Sequence, residues 1–310
     1  IVWEWHIWDH LIQDYDPALP GYGVISEHPQ LFDINCGSVG NDAGGPQGAN
    51  ADWMHINAVD YNPILDQIVI SSRTQNEIFI IDHSTSTEEA ASHSGGNSNQ
   101  GGDFLYRWGN PENYGRGDEA DRILGDQHSI NWIPAGYPGE GNLILFNNFH
   151  EDNNSAVLEF TPPLVGNNYT INDSESFGPE SWEWIYMGAI STPMQGGAFR
   201  LPNGNTLITQ THTATVIEVD SDGNELWSFT HVGESGSYWI SRCEKYSPDY
   251  LMDFMLGDLN GDGTLNILDI VILANLILSG DTSNPAGDLN QDGSQNILDI
   301  VILINLILNS

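Results

Sequence analysis

The stretch Asp52–Ser84, DWMHINAVDYNPILDQIVISSRTQNEIFIIDHS, decides the fold of the larger part of this chain. It contains three runs of β-branched and aromatic residues joined by turn signals such as Asn62-Pro63. A Gly/Ser/Asn loop follows, and then GDFLYRWGN (Gly102–Asn110), a fourth strand that carries a tryptophan. The same plan returns at Asp126 with DQHSINWIPAGYPGEGNLILFNNFHEDNNSAVLEF and its tryptophan strand SWEWIYM (Ser181–Met187). A third copy, GGAFRLPNGNTLITQTHTATVIEVDSDGNELWSF, runs from Gly196 to Phe229, with turns at Asn203-Gly204 and Asp222-Gly223. Four antiparallel strands repeated at this spacing describe the blades of a β-propeller.

IVWEWH at residues 1–6 reads as a tryptophan-bearing outer strand whose inner strands are missing, and SYWISRCEKYS at 237–247 as the first strand of another blade. Three whole blades fall short of the roughly four to eight with which propellers close. The expectation is a mainly β fold, a β-propeller incomplete at its N-terminal side, with short unrecognised blades in residues 10–50 or completion by a partner as the alternatives.

Composition limits the function. The chain has 310 residues, 43 Asp plus Glu against 7 Lys plus Arg, and a net charge of -36. Nucleic-acid binding is excluded, because it needs clustered cations to displace phosphate counterions. So much carboxylate suits a saline or calcium-rich exterior. Apolar runs are interrupted by Asp or Asn before they reach the ~18 residues of a membrane span. Cys36 and Cys243 either close a ring by a disulfide in an exported protein or stay as free thiols; sequence leaves both open. The Asn153-Asn154-Ser155 and Asn168-Tyr169-Thr170 sequons carry little weight in so Asn-rich a chain.

After Met255 the character changes, so the sequence divides into residues 1–255 and 256–310. GDLNGDGTLNILDIVILANLIL (Gly257–Leu278) is repeated as GDLNQDGSQNILDIVILINLIL (Gly287–Leu308). Each repeat holds the ligand spacing of an EF-hand loop, with oxygen donors at the first, third, fifth, seventh, ninth and twelfth positions and glycine at the sixth. The ligands are Asp258, Asn260, Asp262, the Thr264 carbonyl, Asn266 and Asp269, then Asp288, Asn290, Asp292, the Ser294 carbonyl, Asn296 and Asp299. Two Ca²⁺ ions are expected, with the acidic turns EDNN and DSDGNE as weaker candidates for more.

This duplicated loop-then-helix, with Asp at the last ligand position, resembles the type I dockerin module. The resemblance implies a Ca²⁺-folded pair of antiparallel helices that docks onto a cohesin-like domain. At the positions where dockerins select partners, this chain has Ile267 and Leu268, Ile297 and Leu298, Ala274/Asn275 and Ile304/Asn305. Helices so apolar must be covered on more than one side, by this chain's own propeller or by another molecule such as a neighbouring copy.

The N-terminal part, through WEWHIWDHLIQDYDP, the DWMHIN and SSR blocks, FIIDHSTSTEEA, GGDFLYRWGNPENYG, QHSINWIPAGYPGEGNLILFNN and RLPNGNTLI, is similar to the arylsulfate sulfotransferase-like propeller family of exported bacterial proteins. That resemblance implies a six-bladed propeller, and sulfuryl transfer from aryl sulfates to phenols through a nucleophilic imidazole, with cations or hydrogen-bond donors around the sulfate. His55, Arg73 and His128 fall on the family's motif positions and are assigned to sulfate binding and orientation, with His10 as a further candidate. FNNFHEDNNSA offers His150 where family enzymes carry an arginine, and ISTPMQGGAF lacks a histidine; His212 is the remaining nucleophile candidate. Two functions follow. One is a secreted or surface-held arylsulfotransferase-like propeller tethered by its dockerin; the other is a non-catalytic assembly unit of an extracellular array or fibre.

Overall fold

The computed structural model describes residues 1–36, 52–151, 154–232, 239–246, 255–281 and 284–309. Contacts divide the chain into Ile1–Lys245 and Tyr246–Ser310.

The first unit opens with β1 (Leu11–Ile12) and β2 (Phe32–Asp33), paired in parallel. Three four-stranded antiparallel sheets follow. The first runs β3 (Ile56–Asn62), β4 (Gln67–Ser72), β5 (Glu77–Asp82) and β6 (Tyr106–Trp108), with the short helix α1 (Thr87–Ala90) in the β5–β6 connection. The second takes β7 (His128–Trp132), β8 (Leu143–Glu151) and β9 (Asn154–Phe160) in order. The hairpin β10 (Leu164–Val165) and β11 (Asn168–Tyr169) then interrupts it before β12 (Trp184–Tyr186) closes it. The third is β13 (Gly197–Arg200), β14 (Thr206–Gln210), β15 (Thr215–Val219) and β16 (Glu225–Thr230). Each sheet is therefore a meander ending on a tryptophan-bearing strand, as the sequence periodicity predicts.

Side-chain alternation along the middle strands explains how the sheets stack. On β4 and β5, Val69, Ile78 and Ile80 join Leu143, Leu145, Leu158 and Phe160 of the second sheet in one core. Trp108 lies over Phe160 at 4.0 Å between ring centroids. Their neighbours Ile70, Phe79 and Ile81 face the other way, onto Phe32, Trp3, Trp5 and Leu11. The second sheet repeats the device: Ile144, Phe146 and Val157 turn from the first sheet toward Ala198, Ile208 and Ile217 of the third. A strand buried on both faces reads as a nearly continuous apolar run, and Leu143-Ile144-Leu145-Phe146 of β8 is such a run.

Two sequence expectations change. Residues 1–6 form no strand; the Trp3 indole donates to Thr85 Oγ1 (3.2 Å) and the Trp5 indole to the Gly102 carbonyl (2.7 Å). These rings are spent on covering the face of the first sheet, not on extending a ladder. Of the expected strand at 237–247, residues 239–246 lie among the described ones and form none; the Cys243 amide donates to Thr209 Oγ1 (3.0 Å) and the Ser241 carbonyl accepts from the Gly196 amide (3.4 Å).

The cysteines are both free. Cys36 is buried against the first sheet, its thiol donating to Gln75 Oε1 (3.3 Å), and burial pushes it up to about 12. Cys243 packs with Leu207 and Val216 of the third sheet.

In the second unit the helices α2 (Ile267–Ser279) and α3 (Ile297–Asn309) follow their loops directly. Leu273 and Leu303 form the centre of their core with Leu259, and Gly280 stops α2 in the left-handed conformation. Among the described residues no helix is long and apolar enough to cross a membrane.

Candidate functional site

The antiparallel meander places the start of each first strand beside the end of each second strand. His55 precedes β3, and Arg73 follows β4; His128 begins β7, and Asn147 and Asn148 stand on β8; Gln195 precedes β13, and His212 follows β14. Hydrogen bonds between sheets bring these ends together. Arg73 Nη2 donates to the Asp126 carboxylate, the Asp126 amide to Asn76 Oδ1 (2.7 Å), and Asn57 Nδ2 to the Gln127 carbonyl (2.7 Å). Asn148 Nδ2 donates to the carbonyls of Thr192 (2.7 Å) and Gln195 (2.8 Å).

The backbone at this end is bent in a repeated manner. His55 (φ 44), Asp126 (φ 52), Ser129 (φ 59) and Gln195 (φ 58) all occupy the left-handed region although none is glycine. Such residues cluster at ligand sites, where surrounding contacts hold the strain. Beside them, Asn57 Oδ1, Ser129 Oγ and Gln195 Oε1 are buried with no hydrogen-bond partner among the described residues. Buried polar atoms are normally satisfied, so three at one end of three sheets mark a place where a polar ligand or water would be welcome.

His128 has a defined tautomer. The Gln195 amide donates to its Nε2 (3.2 Å), so Nδ1 carries the proton and faces the Asp126 carbonyl (2.9 Å) and Asn148 Oδ1 (2.8 Å). Burial, with the Arg73 and His55 charges acting in the same direction, holds its pKa below the usual value. His55 Nδ1 pairs with the Asp52 carboxylate. His212 contrasts with both: Nδ1 lies 2.8 Å from Thr192 Oγ1, which also accepts from the His212 amide and donates to the Met194 carbonyl. That arrangement puts a proton on Nδ1 and leaves the Nε2 lone pair uncommitted among the described residues. His128, Asn148, Thr192 and His212 thus form one hydrogen-bonded chain across the second and third sheets.

Cations are scarce and mostly paired. Arg107 meets Glu77, Arg200 meets Glu159, Arg122 meets Glu119, Arg242 meets Glu244 and Lys245 meets Glu218. Arg116 is bound by the carbonyls of Ser26, Asn172 and Glu175. Arg73 is the arginine at the shared end of the first two sheets, and Asp126 already takes one edge of it. His150 lies on the same strand as Asn148, its ring against Trp182 at 5.2 Å and its pKa lowered by burial. His10 is elsewhere, on the N-terminal segment with Asp103. Sequence reading did not single out Asp52, Asp126, Asn148, Thr192 or Gln195; the left-handed residues and cross-sheet bonds that mark them have no sequence pattern.

The two C-terminal loops share the backbone bonds that hold their first and last carboxylates. Asp258 Oδ1 accepts from the Asp262 amide (3.2 Å) and Oδ2 from the Gly263 amide (2.8 Å); Asp288 does the same for Asp292 (3.2 Å) and Gly293 (2.9 Å). Asp269 Oδ1 accepts from the Leu259 amide (2.9 Å) and Oδ2 from the Asn266 amide (2.9 Å), matched by Asp299 with Leu289 (2.9 Å) and Asn296 (2.8 Å). Asp269 and Asp299 are fully buried, and the chain beyond Lys245 contains no Lys or Arg. An all-oxygen donor set with a buried carboxylate and no counter-charge fits a hard divalent cation. The DSDGN turn closes on itself, Asp220 accepting from the Asp222 (3.0 Å) and Asn224 (2.8 Å) amides. Residues 152 and 153 of EDNN lie outside the described residues.

Comparison with known proteins agrees with these two parts. The family model described as arylsulfotransferase (ASST) matches residues 1–175, and that of the dockerin type I domain matches residues 256–308. No curated protein matches the chain. Among solved structures it is similar to a protein of unknown function from Bacteroides caccae (13% identity, TM-score 0.33, covering 60% of this chain and 49% of that one). It is also similar to hydrazine synthase of Kuenenia stuttgartiensis (11%, 0.30, 66% and 40%) and Hsv2 of Kluyveromyces lactis (11%, 0.31, 59% and 48%). The chain spans about half the length of these solved chains, or less. With the match over more than half of its residues, the chain belongs to the arylsulfotransferase (ASST) family and carries a type I dockerin domain after it.

Proposed function

We propose that this protein is an exported, calcium-dependent docking unit: a propeller of the arylsulfotransferase type held on a cohesin-like receptor by its dockerin. The observation that carries this reading is the buried, cation-free pair Asp269 and Asp299, each closing an oxygen-lined loop in front of an apolar helix. Asp258, Asn260, Asp262, the Thr264 carbonyl, Asn266 and Asp269 would hold one Ca²⁺, and Asp288, Asn290, Asp292, the Ser294 carbonyl, Asn296 and Asp299 the other. Bound calcium supplies the positive charge that lets these carboxylates converge. The first turns of each helix then present an exposed apolar triad, Ile267, Leu268 and Val271 on α2 and Ile297, Leu298 and Val301 on α3. Two near-identical triads support docking through either repeat. The stacked meanders support a propeller.

The test is titration of the full-length chain with a purified type I cohesin in Ca²⁺ and in EGTA, followed by sedimentation without cohesin. Calcium-dependent binding that Leu268→Asp plus Leu298→Asp removes is the expected result. Binding or self-association unchanged by EGTA and by the double variant would overturn it.

Sulfuryl transfer is the second reading, favoured by the uncommitted Nε2 of His212 at the end of the His128–Asn148–Thr192 chain. His212 Nε2 would attack the sulfur of an aryl sulfate, forming an N–S bond as the S–O bond breaks and the phenolate leaves; an acceptor phenol then takes the group and restores the imidazole. Arg73, His55 and His128 would orient the sulfate oxygens. Release of a chromogenic phenol in the presence of an acceptor phenol, lost in His212→Ala, is expected; no turnover by the calcium-loaded full-length chain leaves the docking reading alone.

A further inference from the structure

We propose that His10, His93 and Asp103 form a binding site for a divalent transition metal, Zn²⁺ or an ion of like chemistry, separate from the calcium loops and from the shared end of the sheets. Both imidazoles reach the same oxygen: His10 Nδ1 and His93 Nδ1 each lie 2.7 Å from Asp103 Oδ1. All three donor atoms fall within 4.8 Å of one another.

The decisive atom is His10 Nδ1. His10 Nε2 lies 2.8 Å from the Ala90 carbonyl, which can only accept, so Nε2 carries the ring proton. In a neutral ring Nδ1 is then a lone pair pointing at a carboxylate oxygen, with both His10 and Asp103 buried. Two acceptors do not face each other at that distance without positive charge between them. A second proton can supply it, and so can a metal. A metal-bound histidine that donates its other nitrogen to a backbone carbonyl is the usual supporting arrangement in metalloproteins.

The surroundings favour the metal. Trp5 stacks on the His10 ring (5.6 Å between centroids, 1° between planes), fixing its orientation. Gly102 leaves no room for adjustment from behind, since a Cβ there would stand 2.0 Å from the Ala90 oxygen and 2.6 Å from His10 Nε2. His93, by contrast, keeps 61% of its side chain exposed on a loop. It can retreat by the roughly half ångström needed to turn its own hydrogen bond to Asp103 into a bond of about 2.0–2.2 Å to an ion. Two nitrogens and one carboxylate select a borderline metal over calcium, and a three-ligand set leaves a position for water on the His93 side. His10 and Asp103 are 93 residues apart in sequence, so the ion would pin the N-terminal segment to the loop that follows β5.

The experiment is calorimetric titration of Zn²⁺ into the full-length protein already saturated with Ca²⁺, with Co²⁺ absorption in the visible as a second readout. One Zn²⁺ per chain, a rise in the temperature of unfolding with Zn²⁺, and tetrahedral Co²⁺ bands are expected. His93→Ala, a change at an exposed ring that leaves the fold intact, should weaken binding at least ~100-fold and abolish the bands, whereas His83→Ala should retain both. Failure of the wild type to take up Zn²⁺ at millimolar concentration, which assigns the gap to a proton, overturns the proposal; so does equal binding by His93→Ala.

Discussion

Asn148 Oδ1 accepts from His128 Nδ1 at 2.8 Å, while the same amide's Nδ2 donates to two carbonyls of the third sheet. One buried side chain therefore fixes a histidine tautomer and joins two sheets. Asn148→Ala should lose about 1–3 kcal/mol in urea unfolding, because the Gln195 carbonyl loses its donor away from water, while the Thr192 carbonyl keeps only Ser155 Oγ and the His128 N–H only the Asp126 carbonyl. Asn148→Asp should not rescue it, since a carboxylate cannot donate to those carbonyls.

A second prediction concerns pH. Burial holds His128 and His150 below the ordinary histidine pKa in the folded chain. The unfolded chain therefore binds their protons first, so their contribution is complete above about pH 6.5 and is lost as pH falls through the folded values. The unfolding temperature in saturating Ca²⁺ should drop between neutral pH and about pH 5. Replacing both residues by Asn should flatten that slope; an unchanged slope would refute the assignment.

The Glu77–Arg107 pair gives a third. Arg107 forks onto Glu77 with Nε–Oε1 at 2.6 Å and Nη2–Oε2 at 2.8 Å, both side chains being fully buried, and its guanidinium lies 4.4 Å from the Tyr114 ring centroid. Nη1 also donates to the Leu31 carbonyl (2.9 Å), which ties the N-terminal segment to the first sheet. Glu77→Gln should cost about 3–5 kcal/mol by stranding a buried cation. Replacing both residues with apolar ones should cost less than this single change, which chemical denaturation of the three variants can check.

Calcium removal supplies a fourth. EGTA should melt α2 and α3, removing most of the helical circular dichroism while the β signal and the near-ultraviolet tryptophan bands of the first unit persist. Asp269→Asn should imitate half of this effect. Retention of the helices after thorough chelation would show that the loops fold without metal.

Much of this protein could be read from residues alone, and for a stated reason. Ligand spacing in GDLNGDGTLNILD is local, so alternate side chains of one tight loop converge whatever surrounds them, and the proposed calcium donors can be written down by number. Strand content was legible for the same reason: period-two patterning, Asn-Pro and Asn-Gly turns and a tryptophan every fourth strand locate β3 to β9 and β12 to β16. The tryptophans of residues 1–6 misled, because an indole that covers a sheet and an indole that belongs to one look alike in sequence.

His55, Arg73 and His128 were found as motif positions, yet nothing local shows that Arg73 is held by Asp126, that Gln195 caps His128, or that Asn148 joins His128 to the loop before β13. Those facts arise where three separate meanders bring the same ends together, between residues tens of positions apart. The same holds for His10, His93 and Asp103, which no spacing rule connects. Sequence by itself determined the strands, the two loops and the charge; only the tertiary structure decided which polar atoms face one another, because burial and pairing are properties of contacts between distant segments.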